Sequence, residues 1–188
     1  NQTWGVPISS GNHLLLMYNK ELVENPPSTT DELIEMGKEL TTGDQYGLVY
    51  DQTDPLWLAP WLGGFTGSVF AEDGTTPTLN TPEMVATLHF LRELAYDSAI
   101  VPPGTDYDGA LVLFSEGKAG MIIDGEWALD RYKEALDSKL GVARIPRVSV
   151  TGEWPHPYTR GTYLLFSASL EEDQTKLEAA VRFAGFVT

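Results

Sequence analysis

Leu113-Phe114-Ser115-Glu116-Gly117-Lys118-Ala119-Gly120-Met121-Ile122-Ile123-Asp124-Gly125-Glu126-Trp127 passes from helix to strand and back towards helix. Leu113 and Phe114 close a helix, and Gly117 carries the chain into an apolar strand, Ala119 to Ile123. The strand is expected to stop at Asp124-Gly125, which places Trp127 in the first turn of the next helix. In an α/β sheet, ligands bind in the crevice beyond the carboxyl ends of the strands. A flat aromatic delivered there suits stacking on a ligand ring. It equally suits packing the helix on the sheet, since buried aromatics dominate core energetics.

The same alternation extends to both sides. Upstream, Val6 to Ile8 and Leu14 to Tyr18 read as strands separated by Ser9-Ser10-Gly11-Asn12. After the stiff connector Asn25-Pro26-Pro27, Thr29 caps a helix with Glu32 as the second half of a capping box. Leu33, Met36 and Leu40 recur at helical spacing, and Gly43 follows the end. Tyr46 to Tyr50 is a short strand. Asp54-Pro55 starts a helix that carries Trp57 and Trp61 on one face and stops at Gly63-Gly64. Phe70 to Leu79 reads as a small hairpin around Asp73-Gly74. Thr81-Pro82-Glu83 opens a helix with an apolar stripe of Val85, Leu88, Leu91 and Ala95, flanked by Met84 and Leu94.

Downstream of Pro102-Pro103-Gly104, Thr105 or Asp106 caps a helix through Tyr107, Leu111 and Phe114. Glu126 to Leu136 is helical and carries Ala128, Leu129, Tyr132 and Leu136, and Val142 to Ile145 is a strand. Tyr158 to Ser167 is strand-like. Ser169 with Glu172 is expected to box the start of a last helix, whose Leu177, Ala180, Val181 and Ala184 face one way. Strands alternating with helices of ordinary length predict an α/β layer architecture.

Composition narrows the function. The 188 residues hold 12 Lys and Arg against 27 Asp and Glu, a net charge of −15, which argues against a nucleic-acid partner because phosphate selects basic patches. The absence of cysteine removes disulfides, cysteine-based zinc sites and cysteine nucleophiles. No run approaches the roughly 18 apolar residues of a membrane span. Asn1 and the run Trp4 to Ile8 read like the middle of a longer protein, with any export signal upstream.

No glycine-rich phosphate loop, His-x-x-x-His pair or Gly-x-Ser-x-Gly elbow occurs. His13, His89 and His156 are isolated, and neither a metal nor a cofactor is expected. Carboxylates are available near expected helix starts: Asp54, Asp106, Asp124 and Glu126. Two of them could run glycoside hydrolysis, although N-capping is the commoner use. Three acids sit beside aromatics: Asp54 with Trp57, Asp106 with Tyr107, and Glu126 with Trp127. Such pairs suit sugars, because an aromatic stacks on the C–H face of the ring while carboxylates accept hydrogen bonds from hydroxyls.

Several runs carry a resemblance to a known family. Pro7-Ile8 with Leu15-Leu16-Met17-Tyr18-Asn19-Lys20, Asn25-Pro26-Pro27-Ser28-Thr29 and Leu79-Asn80-Thr81-Pro82-Glu83 with Leu88 and Phe90-Leu91 are three of them. The most specific block is Asp106-Tyr107, Phe114-Ser115-Glu116-Gly117-Lys118-Ala119 and Gly125-Glu126-Trp127-Ala128. Together they resemble the bacterial extracellular solute-binding proteins of the maltose-binding-protein-like group, which serve sugar ABC importers. The resemblance implies one lobe of a two-lobed, periplasmic-binding-protein-like (type II) α/β fold. It assigns residues 1–8 to a crossing segment, 9–157 to the second, ligand-binding lobe, and 158–188 to a recrossing strand and helix of the first lobe.

The resemblance also implies function. The protein would bind a sugar or oligosaccharide between the lobes and deliver it to a membrane permease, without catalysis. It would work outside the cytoplasm, in the periplasm or at the cell surface, where a lipid anchor is one option. Trp127 corresponds to a tryptophan that stacks on a sugar ring, and Tyr107, preceded by Asp106, to a cleft tyrosine. Asp54-Pro55 corresponds to an acidic-Pro pair followed in maltose binders by an aromatic; here Leu56 takes that place and Trp57 comes next. Glu126, Tyr158 and Arg160 complete the ligand-binding candidates. A chain lacking most of one lobe is further expected to self-associate or swap through its hinge strands and terminal helix.

Overall fold

Continuous apolar runs set the central sheet. The computed structural model describes residues 5–11 and 13–187. Strands β2 (Leu14–Asn19), β3 (Tyr46–Val49), β4 (Ala119–Gly125) and β5 (Leu140–Ala143) join in the order β3-β4-β2-β5. β3 runs parallel to β4, and β2 is antiparallel to both β4 and β5. Every residue of β4 is buried, as a strand covered on both faces requires.

The pleat divides the sheet's side chains between two cores. Leu14, Leu16, Leu48, Met121 and Ile123 face one; Met17, Val49 and Ile122 face the other. Helices α1 (Thr30–Leu40), α2 (Ala59–Gly64) and α3 (Pro82–Arg92) supply Leu33, Trp61 and Phe90 to the first core. Helices α4 (Tyr107–Ser115) and α5 (Leu129–Leu136) supply Ala110, Phe114, Tyr132 and Leu136 to the second. The result is a three-layer α/β/α arrangement. Helix α1 lies on β3 backbone to backbone, since a Cβ at Gly47 would come within 2.4 Å of the Gly37 Cα.

By contact density the chain forms two units, residues 13–158 and a smaller one with residues 5–11 and 159–187. The smaller unit pairs β1 (Gly5–Gly11) antiparallel with β6 (Arg160–Leu165) and carries helix α6 (Gln174–Val187). The first division falls later than the expected residue 8, because Ser9, Ser10 and Gly11 continue β1 opposite Thr162, Gly161 and Arg160. Ser9-Ser10-Gly11, expected as a separator between two strands, is therefore strand; Asn12, the last residue of that expected separator, lies outside the described residues.

Local expectations need several corrections. The helix after Asp54 is broken: Asp54 caps a single 3-10 turn, Pro55–Trp57, and α2 starts afresh at Ala59. Pro60 lacks the N–H that a continuous helix would use. In α3 the buried residues are Met84, Thr87 and Phe90, while Val85 and Leu88 are about half exposed. Thr87 can face the core because its hydroxyl donates to the Glu83 carbonyl at 2.8 Å. Thr29 caps α1, but Glu32 accepts from the N–H and hydroxyl of Ser28 and not from the cap itself.

Phe70 and Pro77 form one isolated bridge, and Asp73 shapes the intervening turn by accepting from the N–H groups of Thr75 and Thr76. Ser169 does not cap the last helix. It sits inside a 3-10 turn, Ala168–Glu172, capped by Ser167, and Asp173 accepts from the Lys176 N–H at the start of α6. In α6 Ala184 is buried, whereas Val181 is exposed. The strand β5 begins at Leu140 and ends before Ile145.

Candidate functional site

The carboxyl end of β4 builds the site. β4 continues through Asp124 and Gly125, beyond the expected end at Ile123, because Leu15 pairs with Asp124 and Leu14 with Gly125. A 3-10 turn, Glu126–Ala128, then leads into α5 and presents Trp127, whose relative exposure is 43%. The Trp127 ring folds back over Gly125: a Cβ there would lie 2.1 Å from the ring. The glycine is needed for space, since its φ of −85° is open to any residue.

Two further aromatics fix this ring. The indole N–H of Trp127 donates to the Tyr107 hydroxyl at 3.0 Å. Trp57 meets Trp127 edge-on, with centroids 6.5 Å apart at 89°, and lies 5.9 Å from the Tyr107 ring. Trp57 is only 4% exposed, and its own N–H donates to the Ile123 carbonyl at 2.7 Å. Of the three rings brought together, Trp127 is the most open, Tyr107 is half-buried and Trp57 backs them from the core.

Asp124 sits behind the rings, fully buried in the strand and not at a helix start. It accepts from the Tyr132 hydroxyl at 2.6 Å and from the Gly125 N–H at 2.7 Å. Burial raises its pKa, and the bonds from Tyr132 and Gly125 oppose that rise. Burial likewise raises the pKa values of Tyr132 and Tyr107, with the Asp124 charge adding to both.

The remaining acids hold the local frame. Asp54 accepts the Leu56 N–H at 2.8 Å and Asp106 accepts the Gly109 N–H at 2.9 Å, each through Oδ1. Glu126 lies 3.8 Å from the His13 imidazole, and its N–H donates to the His13 carbonyl. His13 is thus not isolated. Tyr158 is exposed at the end of the larger unit, and Arg160 is exposed at the start of β6 in the smaller one. Among the described residues, no group of three or more His, Asp or Glu could hold a metal ion. The sequence marks Tyr132 only as a member of the helix after Trp127; the signal for more is a lone acid in the otherwise apolar strand before it, which accepts the Tyr132 hydroxyl.

The profile of the family described as bacterial extracellular solute-binding protein matches residues 1–188. The chain belongs to this family. Its members are solute-binding proteins, and the family shares a mixed α/β, maltose-binding-protein-type fold with this chain. The maltotriose-binding protein of Pyrococcus abyssi is 28% identical over 178 residues, covering 92% of this chain and 37% of that protein. The maltodextrin-binding protein of Bacillus subtilis is 29% identical over 160 residues, covering 79% of this chain and 38% of its own. Among solved structures, the maltose/maltodextrin-binding domain MalE from Bdellovibrio bacteriovorus, bound to maltotriose, superposes with a TM-score of 0.85 at 37% identity. That match covers 98% of this chain and 50% of the other. The chain therefore spans half or less of the length of these relatives.

Proposed function

We propose that the intact protein binds a maltooligosaccharide between two lobes and hands it to the permease of an ABC importer. One observation carries this reading: a half-exposed indole, Trp127, is locked in place at the carboxyl end of β4 by Tyr107 and Trp57. An aromatic ring held rigid before the ligand arrives loses little entropy on stacking. The relatives named for maltotriose and maltodextrin support an α-glucan as the ligand. In this reading Trp127 stacks on a sugar ring, Tyr107 lines the cleft and Trp57 supports both. Asp54, Asp106 and Glu126 accept hydrogen bonds from hydroxyls, with Tyr158 and Arg160 contributing where the chain leaves the larger unit. Residues 13–158 form the second lobe, and the smaller unit belongs to the first. Sugar would favour the closed arrangement, which the permease reads. The protein works outside the cytoplasm, in the periplasm or lipid-anchored at the cell surface.

The test is Trp127→Ala in the intact protein, titrated with maltotriose by calorimetry. Affinity should fall at least several-fold, the loss expected of a desolvated aromatic contact. Equal affinity would overturn the stacking role. Hydrolysis is the weaker reading, because Asp54 and Asp106 are engaged as caps and Asp124 is enclosed by Tyr132 and Gly125. Reducing ends released from oligosaccharides, at a rate lost on Asp124→Asn, would reinstate it.

We also propose that this chain self-associates through the smaller unit. Tyr163 and Leu165 on β6 and Phe183 and Phe186 on α6 are large, apolar and exposed, with Phe186 86% exposed. Apolar surface of this kind on a short paired ribbon and its helix favours association.

A further inference from the structure

We propose that Asp124 and Tyr132 are positioning residues for the sugar site, fixing the turn that presents the Trp127 ring. The proposal rests on the reading of Trp127 as the stacking ring.

The hydrogen bonds around that turn carry it. An indole N–H can only donate. Trp127 donates to the Tyr107 oxygen, so the hydroxyl proton of Tyr107 must point elsewhere. Three residues before Trp127, Asp124 accepts the Tyr132 hydroxyl on Oδ2 and the Gly125 N–H on Oδ1. It thereby joins the end of β4 to α5, the two elements on either side of the turn that carries Trp127.

Position strengthens the case. Asp124 is the one acid in β4, a strand that is otherwise apolar or glycine and wholly buried. A buried carboxylate is costly unless its oxygens are satisfied, and an apolar residue would fill such a site at lower cost. Its bonds bracket the turn that presents the Trp127 ring. Gly125 is the residue over which the Trp127 ring lies, and Tyr107 is the ring's hydrogen-bond partner. Tyr132 comes from α5, the helix that follows the Trp127 turn, and its ring is held edge-on by Phe114 at 5.1 Å. The turn is thus tied at both ends to one carboxylate. The charged groups acting on this network are Asp51, which opposes the charge on Asp124, and Arg131, which acts on both tyrosines.

The test uses the intact protein with its tryptophans labelled at the indole nitrogen, and Trp127→Phe to assign the Trp127 N–H resonance. In Asp124→Asn and in Tyr132→Phe that resonance should shift, and maltotriose affinity should fall by roughly threefold to tenfold, the factor a single lost hydrogen bond supplies. Leu33→Val, in the opposite core, should lower the melting temperature and leave both readings unmoved. A folded Asp124→Asn with an unmoved resonance and unchanged affinity overturns the proposal. If Asp124→Asn does not fold, Tyr132→Phe decides on the same two readings. If the resonance shifts but the parent protein does not bind maltotriose, the positioning stands and the maltotriose reading fails.

Discussion

At Gly125 the space a side chain would fill is already taken by the Trp127 indole. Gly125→Ala should therefore displace the ring without straining the backbone. We expect a changed Trp127 fluorescence and a loss of maltotriose affinity comparable to removing the ring, with the melting temperature little altered. The neighbouring Asp124 makes a different prediction, about pH. Burial raises its folded pKa above the ordinary 3.8, so the folded state holds the proton more tightly than the unfolded state. Its contribution to stability is then present below the unfolded pKa and is lost as pH rises through the folded one. Melting temperatures of the parent and Asp124→Asn, followed from about pH 4 to about pH 7, should diverge in favour of the asparagine variant as pH rises. At this scale the sequence revealed the aromatic at the strand end, because Asp-Gly-Glu-Trp follows an apolar run directly. It did not reveal where the strand stopped. Asp and Gly usually end a strand, and here pairing with Leu15 and Leu14 overrides that preference.

Helix α3 shows how an element can be recognised while its orientation is missed. Thr81-Pro82 announces the start, and Thr81 does cap it by accepting the Met84 N–H. The buried face was concealed because apolar residues lie on both sides of the helix, and Thr87, a polar residue, takes a fully buried position. The two faces should behave differently on truncation. Leu94→Ala, in the 93–97 turn that prolongs α3, should cost about 2–5 kcal/mol, as removal of a fully buried leucine does. Val85→Ser should stay within about 0.5 kcal/mol. Denaturant melts of the two variants separate these outcomes. Helices α1 and α4 were more legible, since their Thr29 and Asp106 caps bond as the sequence suggested.

For the whole molecule, charge and exposed apolar surface oppose each other. A net charge of −15 repels like copies, and in the proposed association the exposed aromatics of α6 would draw them together. Association should therefore grow with protein concentration and with salt, which screens the repulsion within about 10 Å at 0.1 M. Sedimentation velocity should show a rising mass under those conditions; a strictly monomeric profile at high concentration would count against it. The α/β class followed from the alternation of elements. The division into two units did not, because the pairing of β1 with β6 leaves no local signal in either strand.

That pairing sets an order of events during synthesis. The partners of Gly5 to Gly11 are residues 160–165, so they leave the ribosome only after all of residues 13–158. Contacts so distant in sequence close slowly. The larger unit can gather its own sheet and both of its cores while β1 still waits as an unpaired strand. For that interval β1 lacks its β6 partner and is open to a chaperone, a protease or another copy of itself.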